Sequence, residues 1–176
     1  LPAEVSPGTD LDKHQLTPGE VGEIIVSGAH VNEEYIDNPD ANRLTKIRDH
    51  QRRLWHRTGD RGRWVDGVLW LLGRTKDVVM VDGVSVDPFP IEQAFLRQGF
   101  RVAFISAYGH PRLMVAGRPL PDRLPAFEAL CQELGLQQIR RYSLSKLPVD
   151  GRHNSKLDRV RLRSMLRWRW WQVRRF

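Results

Sequence analysis

Two Asp-Gly pairs, Asp66-Gly67 and Asp82-Gly83, each interrupt short runs of apolar residues. Trp64-Val65 precedes the first pair and Val68-Leu69-Trp70-Leu71-Leu72 follows it, while Val78-Val79-Met80-Val81 and Val84-Ser85-Val86 bracket the second. A two-residue connection that matches the twist of its flanking strands needs positive φ at both positions, and Asp-Gly tolerates this best. The pattern predicts two tight β-hairpins close together in the chain. A further apolar run bounded by glycines, Gly22 to Gly28, reads as another strand.

Around these hairpins the chain divides. Residues 1–20, rich in Pro, Gly, Asp and Thr, predict a loop with at most one ragged strand. With the strands up to Gly73 they form a small β subdomain over residues 1–74. After Arg74-Thr75-Lys76 the pattern changes. Pro88 and Pro90 suit the entrance of a helix that continues through Ile91 to Arg97. Strands follow at Arg101 to Ala107 and Leu113 to Ala116, then a helix from Leu124 to Leu134 stopped by Gly135. Val149 to Ser155 is a polar loop, and Leu157 begins a third helix with Leu162, Met165, Leu166 and Trp170 on one side. The expected fold is α+β: the small β subdomain, then a compact α+β domain over residues 75–176.

A length of 176 residues accommodates two small units of this kind. With 40% hydrophobic and 28% charged residues the composition is globular rather than disordered. No apolar run approaches the roughly 20 residues of a membrane span, and Leu1 does not open a secretion signal. The chain opens on Leu rather than Met, so a piece of a longer protein is expected. The single cysteine, Cys131, cannot form an internal disulfide or a cysteine zinc cluster, and with Leu130 and Leu134 beside it reads as a buried thiol. A reducing, cytoplasmic location is the corresponding expectation.

The net charge of +7 comes from 28 Lys and Arg against 21 Asp and Glu, and only five of the basic residues are lysine. The excess gathers from Arg140 onward. The tail, residues 167–176, mixes arginines with tryptophans, a composition suited to anionic membrane contact; nucleic acid is the weaker expectation. Tryptophans packing on a parent protein, or a general arginine bias, would produce the same tail. The histidines show no metal-ligand spacing, His153 alone in a polar loop is weak evidence for a general base, and no Gly-x-Ser-x-Gly elbow or glycine-rich phosphate loop is present.

Three polar segments follow one another: His56-Arg57-Thr58-Gly59-Asp60, Gly73-Arg74-Thr75-Lys76-Asp77, and Asn154-Ser155-Lys156-Leu157-Asp158-Arg159. Taken singly each has an ordinary explanation. Thr-Gly-Asp is turn-like, Arg74 suits a surface ion pair with Asp77, and Lys156 suits a solvated helix start. In this order they resemble the C-terminal portion of the adenylate-forming superfamily, which includes acyl-CoA synthetases, peptide-synthetase adenylation domains and luciferases. The resemblance runs from about Gly19 to Arg159.

The resemblance implies an ATP-dependent ligase that joins a carboxylic acid to AMP and passes it to CoA. Asp60 and Arg74 would hold the nucleotide's ribose, Lys76 would be the hinge of the C-terminal domain, and Gly83 would lie in the loop that lines the thioester tunnel. Lys156 would be catalytic, set between the carboxylate and the α-phosphate. ATP or AMP, Mg²⁺ and CoA are the implied cofactors, and an N-terminal domain absent from this chain is the implied partner. Arg61 stands where the family has a hydrophobic residue, and Ser155 where it has glycine. Pro148 to Lys156 and Trp55-His56-Arg57 are similar to the olefin-pathway β-lactone synthetase branch, whereas Thr58 departs from that branch and Val81 to Glu92 is closer to ordinary ligases. A non-catalytic basic module that kept the fold is the reading outside enzymes.

Overall fold

The computed structural model describes residues 5–151, 156–168 and 173–176. The chain forms two compact units, Leu1–Lys76 and Asp77–Phe176. No helix among the described residues is long and apolar enough to cross a membrane.

The first unit contains β1 (Val21–Ser27), α1 (Pro39–Thr45), β2 (Lys46–Arg48), β3 (Leu54–Val65) and β4 (Val68–Arg74). Long β3 is its spine, with β1 antiparallel along one edge and β2 and β4 in succession along the other. The β3–β4 hairpin forms as the sequence predicts: Asp66 and Gly67 take φ of 50° and 75°, the left-handed pair that an Asp-Gly loop accommodates. Ahead of β1, the expected ragged strand does not form among the described residues. A short 3-10 turn, Leu11–His14, stands there instead, started by an Asp10 carboxylate that accepts from the Asp12 amide, and it buries Leu11.

Buried Asp49 holds the turn between β2 and β3. It accepts from the Gln51 amide (2.9 Å), the Arg53 amide (2.8 Å), Arg53 Nε (2.7 Å) and Trp55 Nε1 (2.9 Å). Burial would raise this carboxyl, but the four donors prevail and bring it down to about 2.

The second unit contains β5 (Val79–Val81), β6 (Val84–Val86), α2 (Pro88–Arg97), β7 (Val102–Ala107), β8 (His110–Ala116), α3 (Leu124–Glu133), β9 (Arg140–Leu144), α4 (Arg159–Trp168) and β10 (Arg174–Arg175). Its sheet runs β10-β9-β8-β7, with β8 and β9 parallel across the α3 crossover and the other pairs antiparallel. Both faces of this sheet are covered, so β7 reads as continuous apolar sequence rather than an alternation. Val102 and Phe104 join one cluster with Phe95, Phe127 and Cys131, while Ala103 and Ile105 join another with Met114, Leu144 and Leu162.

The β7–β8 hairpin connection, β9 and β10 lie outside the sequence expectations, and one helix begins later than expected. Tyr108 and Gly109 take φ of 54° and 74° and close a β7–β8 hairpin. β9 is basic and polar at its start, and its strand character comes from pairing with β8. The third helix begins at Arg159 rather than Leu157, because Leu157 is bridged to Val149 and Asp158 caps the helix through the Arg161 amide (2.8 Å). Trp170 lies outside the described residues. The end of the tail returns to the domain: β10 pairs with β9, and the Phe176 ring lies 6.0 Å from that of Phe127.

Candidate nucleotide and carboxylate-activation residues

The Thr58-Gly59-Asp60 segment lies inside β3, not in a turn between elements. Glu23 faces Arg61 and Ile25 faces Arg57, so a two-residue step on β1 is matched by a four-residue step on β3. The surplus is a bulge centred on Gly59, whose φ of 71° is the left-handed conformation that glycine adopts without strain. Thr58 fastens it: its hydroxyl donates to the Ile24 carbonyl (2.8 Å) and accepts from the Asp60 amide (3.0 Å). A bulge re-aims the side chain that follows it, here the carboxylate of Asp60.

Asp60 and Arg74 are register partners across β3 and β4. Arg74 Nε lies 2.8 Å from Asp60 Oδ1, and Arg74 Nη1 donates to the Thr58 carbonyl (3.0 Å). The alternative pairing of Arg74 with Asp77 is therefore replaced, since Asp77 pairs with Arg159. Both side chains of the Asp60–Arg74 pair keep solvent access. A carboxylate has about four lone-pair positions, so one arginine contact leaves it able to accept from vicinal hydroxyls.

Just before the bulge, Arg57 and Glu23 form a nearly buried pair. Arg57 Nη2 lies 2.6 Å from Glu23 Oε2, and Nε lies 3.0 and 3.1 Å from the two oxygens. This clamp between β1 and β3 fixes where the bulge begins. Glu23 carries no sequence signal beyond an acidic residue in a strand.

His56 faces the β2 side of the same strand, opposite Lys46. Its buried Nδ1 meets no partner among the described residues. Burial lowers its pKa, the nearby Lys46 charge lowers it further, and a Thr45 backbone hydrogen bond opposes them. The unfolded chain then binds the proton more readily than the folded one. Stability is complete above about pH 6.5 and is lost as pH falls through the lower folded-state value. Urea midpoints between pH 7.5 and 5 should decline with acid, and His56→Gln should flatten that decline. An unchanged slope would remove His56 as its source.

Lys76 lies in a single 3-10 turn, Thr75–Asp77, and the boundary between the two compact units falls directly after it. Gly83 forms the β5–β6 hairpin tip with Asp82; their φ values are 83° and 48°. No atom comes within 4 Å of a Cβ placed on Gly83, so its turn geometry alone accounts for the glycine.

Lys156 belongs to the second unit and its side chain is exposed. Its backbone is held at the neck of a loop: the Asp150 amide donates to the Lys156 carbonyl (2.7 Å), Val149 and Leu157 form an antiparallel bridge, and the Asp158 amide donates to the Pro148 carbonyl (3.0 Å). Every residue after it in the motif has structural work. Leu157 packs into the apolar cluster beneath α4, Asp158 caps α4, and Arg159 reaches Glu92 and Asp77. Among the described residues of the motif, Lys156 is the one that projects into solvent. The preceding Arg152-His153-Asn154-Ser155 segment lies outside the described residues.

Cys131 is fully buried, and burial pushes its thiol up to about 11, so it is a core residue and not a nucleophile. No three His, Cys, Asp or Glu side chains converge on a metal position among the described residues.

No family model matches the chain. It is 34% identical over 106 residues to the medium-chain-fatty-acid–acyl-carrier-protein ligase TtuA of Teredinibacter turnerae, over 48% of this chain and 16% of that protein. It is 41% identical over 78 residues to the 4-hydroxybenzoate–CoA/benzoate–CoA ligase of Rhodopseudomonas palustris, over 44% of this chain and 14% of that one. The solved O-succinylbenzoate coenzyme A synthetase of Bacillus subtilis, in complex with AMP, is 26% identical with a TM-score of 0.63, over 84% of this chain and 31% of that structure. The chain therefore spans a small part of the length of the curated relatives it matches.

Proposed function

We propose, from a chain that carries the fold and motif order of the C-terminal portion of the adenylate-forming superfamily, that it serves an ATP-dependent, AMP-forming acid ligase. In the reaction a carboxylate oxygen attacks the α-phosphorus of ATP, the bond to the β-phosphate oxygen breaks, and pyrophosphate leaves. Asp60 accepts the ribose hydroxyls, and Arg74 holds that carboxylate in place while offering its remaining donors to the nucleotide. Lys156 supplies a mobile cation where two anions must approach and charge builds on the α-phosphate. Lys76 is the residue about which the second unit turns, and Gly83 lies in the loop that meets the acceptor's thiol arm.

The observation that carries this reading is the Asp60–Arg74 register pair, presented by a glycine bulge that has no other evident purpose. Asp60→Ala in the full-length gene product should lower kcat/KM for ATP roughly 10–100-fold, the range for lost hydrogen bonds to a charged group. Acid-dependent ATP–pyrophosphate exchange measures it. Exchange indifferent to Asp60→Ala would sink the assignment.

The partner of the first unit is the rest of a large N-terminal domain, in the same polypeptide or as a separate subunit. Trp64 and Trp70 of the β3–β4 hairpin are 50% and 55% exposed, and Val68, Leu69 and Leu71 are exposed beside them. That much apolar surface on one hairpin suits a packing partner. The substrate we favour is a fatty or other acyl acid with CoA as acceptor, since a CoA ligase stands among the relatives. Consumption of CoA with thioester formation supports this, and release of a β-lactone from a β-hydroxy acid would replace it.

A further inference from the structure

We infer that Arg159 is a positioning residue: its nearly buried clasp with Glu92 and Asp77 joins the Lys156 neck and the first residue after Lys76 into one rigid block. This rests on the proposed roles of Lys156 in adenylation and of Lys76 as the turning point. All three nitrogens of the Arg159 guanidinium are committed. Nε lies 3.2 Å from Asp77 Oδ2, Nη1 donates to the Phe104 carbonyl (2.9 Å), and Nη2 lies 2.8 Å from each oxygen of Glu92. Glu92 Oε1 in turn accepts from the Phe104 amide at 2.9 Å.

Phe104 explains half of this arrangement. β7 is the edge of its sheet, so the outward amide and carbonyl of Phe104 need partners, and Glu92 and Arg159 supply both. Asp77 explains the other half. It satisfies no strand edge, yet its carboxylate is drawn in to Arg159 at the chain's entrance to the second unit. A pair serving stability alone would be replaceable by apolar side chains. A three-way clasp that reaches the residue after Lys76 also transmits position. Arg159 stands three residues beyond Lys156, separated from it by bridged Leu157 and capping Asp158. Rotation about Lys76 then carries the Lys156 backbone without slack, and only its side chain remains adjustable.

Arg159→Lys removes the planar fork, and Asp77→Asn weakens the link to the hinge side while keeping Glu92 and Phe104 paired. In the full-length protein, both should lower kcat for adenylation about 10–100-fold, the scale of a small misplacement, with KM for ATP held within about twofold. Hydrogen–deuterium exchange should quicken around Asp77–Val79 and Leu157–Leu162 and stay unchanged in α3. Unchanged kcat and exchange in both variants would overturn the inference. So would loss of protection throughout the unit, which marks a merely structural pair. If the wild-type protein shows no acid-dependent adenylation, the proposed function fails, and the exchange pattern alone then decides whether the clasp joins these two segments.

Discussion

Lys156→Ala in the full-length protein is expected to lower kcat for acid-dependent adenylation by roughly 10²–10³-fold, the range for removing one preorganised charge-stabilising group. The melting temperature should not move, because the side chain is exposed and the neck is held by backbone bonds and the Val149–Leu157 bridge. Conversion of supplied acyl-AMP to thioester should be far less affected, since that half-reaction displaces no pyrophosphate. Asp60→Ala, by contrast, acts through nucleotide affinity. A Lys156→Ala enzyme with full adenylation activity would remove the lysine from the chemistry.

The largest effect on stability is expected at Phe127. Its fully buried ring lies 5.1 Å from Phe95, 5.3 Å from Phe100 and 6.0 Å from Phe176, so it ties α3 to α2, to the connection between α2 and β7 and to the end of the chain. Phe127→Ala should cost about 3–5 kcal/mol, through lost transfer energy and the cavity left behind. Domains of this size hold about 5–15 kcal/mol in total, so the variant sits near unfolding. Urea unfolding of the second unit is the check, and a change under about 1 kcal/mol would show that the cluster collapses around the gap.

Local chemistry made part of this fold readable. Asp66-Gly67 and Asp82-Gly83 determine their hairpins through backbone angles alone, and the Pro88 and Gly135 signals mark helix limits for the same reason. α1 carries a comparable local signal, Asn38 capping through the Ala41 amide with Pro39 in the first turn. β9 had none. Arg140 and Arg141 look like solvated sequence, and only the parallel register with β8 makes them strand.

The site divides in the same way. Asp60, Arg74 and Lys156 were legible as a spaced set of polar residues because they resemble a known order. The means of holding them were not. Gly59 inside the run from Leu54 to Val65 could have been taken as a bulge signal, but its partner residues on β1 come from far upstream in the chain. Glu92 and Arg159 are 67 residues apart, and only the path of β7 beneath both brings them to one amide and one carbonyl. Sequence spacing shows which groups carry chemistry; long-range topology decides what orients them.

The central claim is that this chain forms part of an AMP-forming acid ligase, and product identity tests it most directly. The full-length protein, supplied with ATP and a panel of carboxylic acids of varied chain length, should release pyrophosphate and AMP only when an accepted acid is present, with the acyl-AMP detectable by mass spectrometry before an acceptor is added. Release of ADP and phosphate, or no acid-dependent turnover from any acid in the panel, would contradict the account.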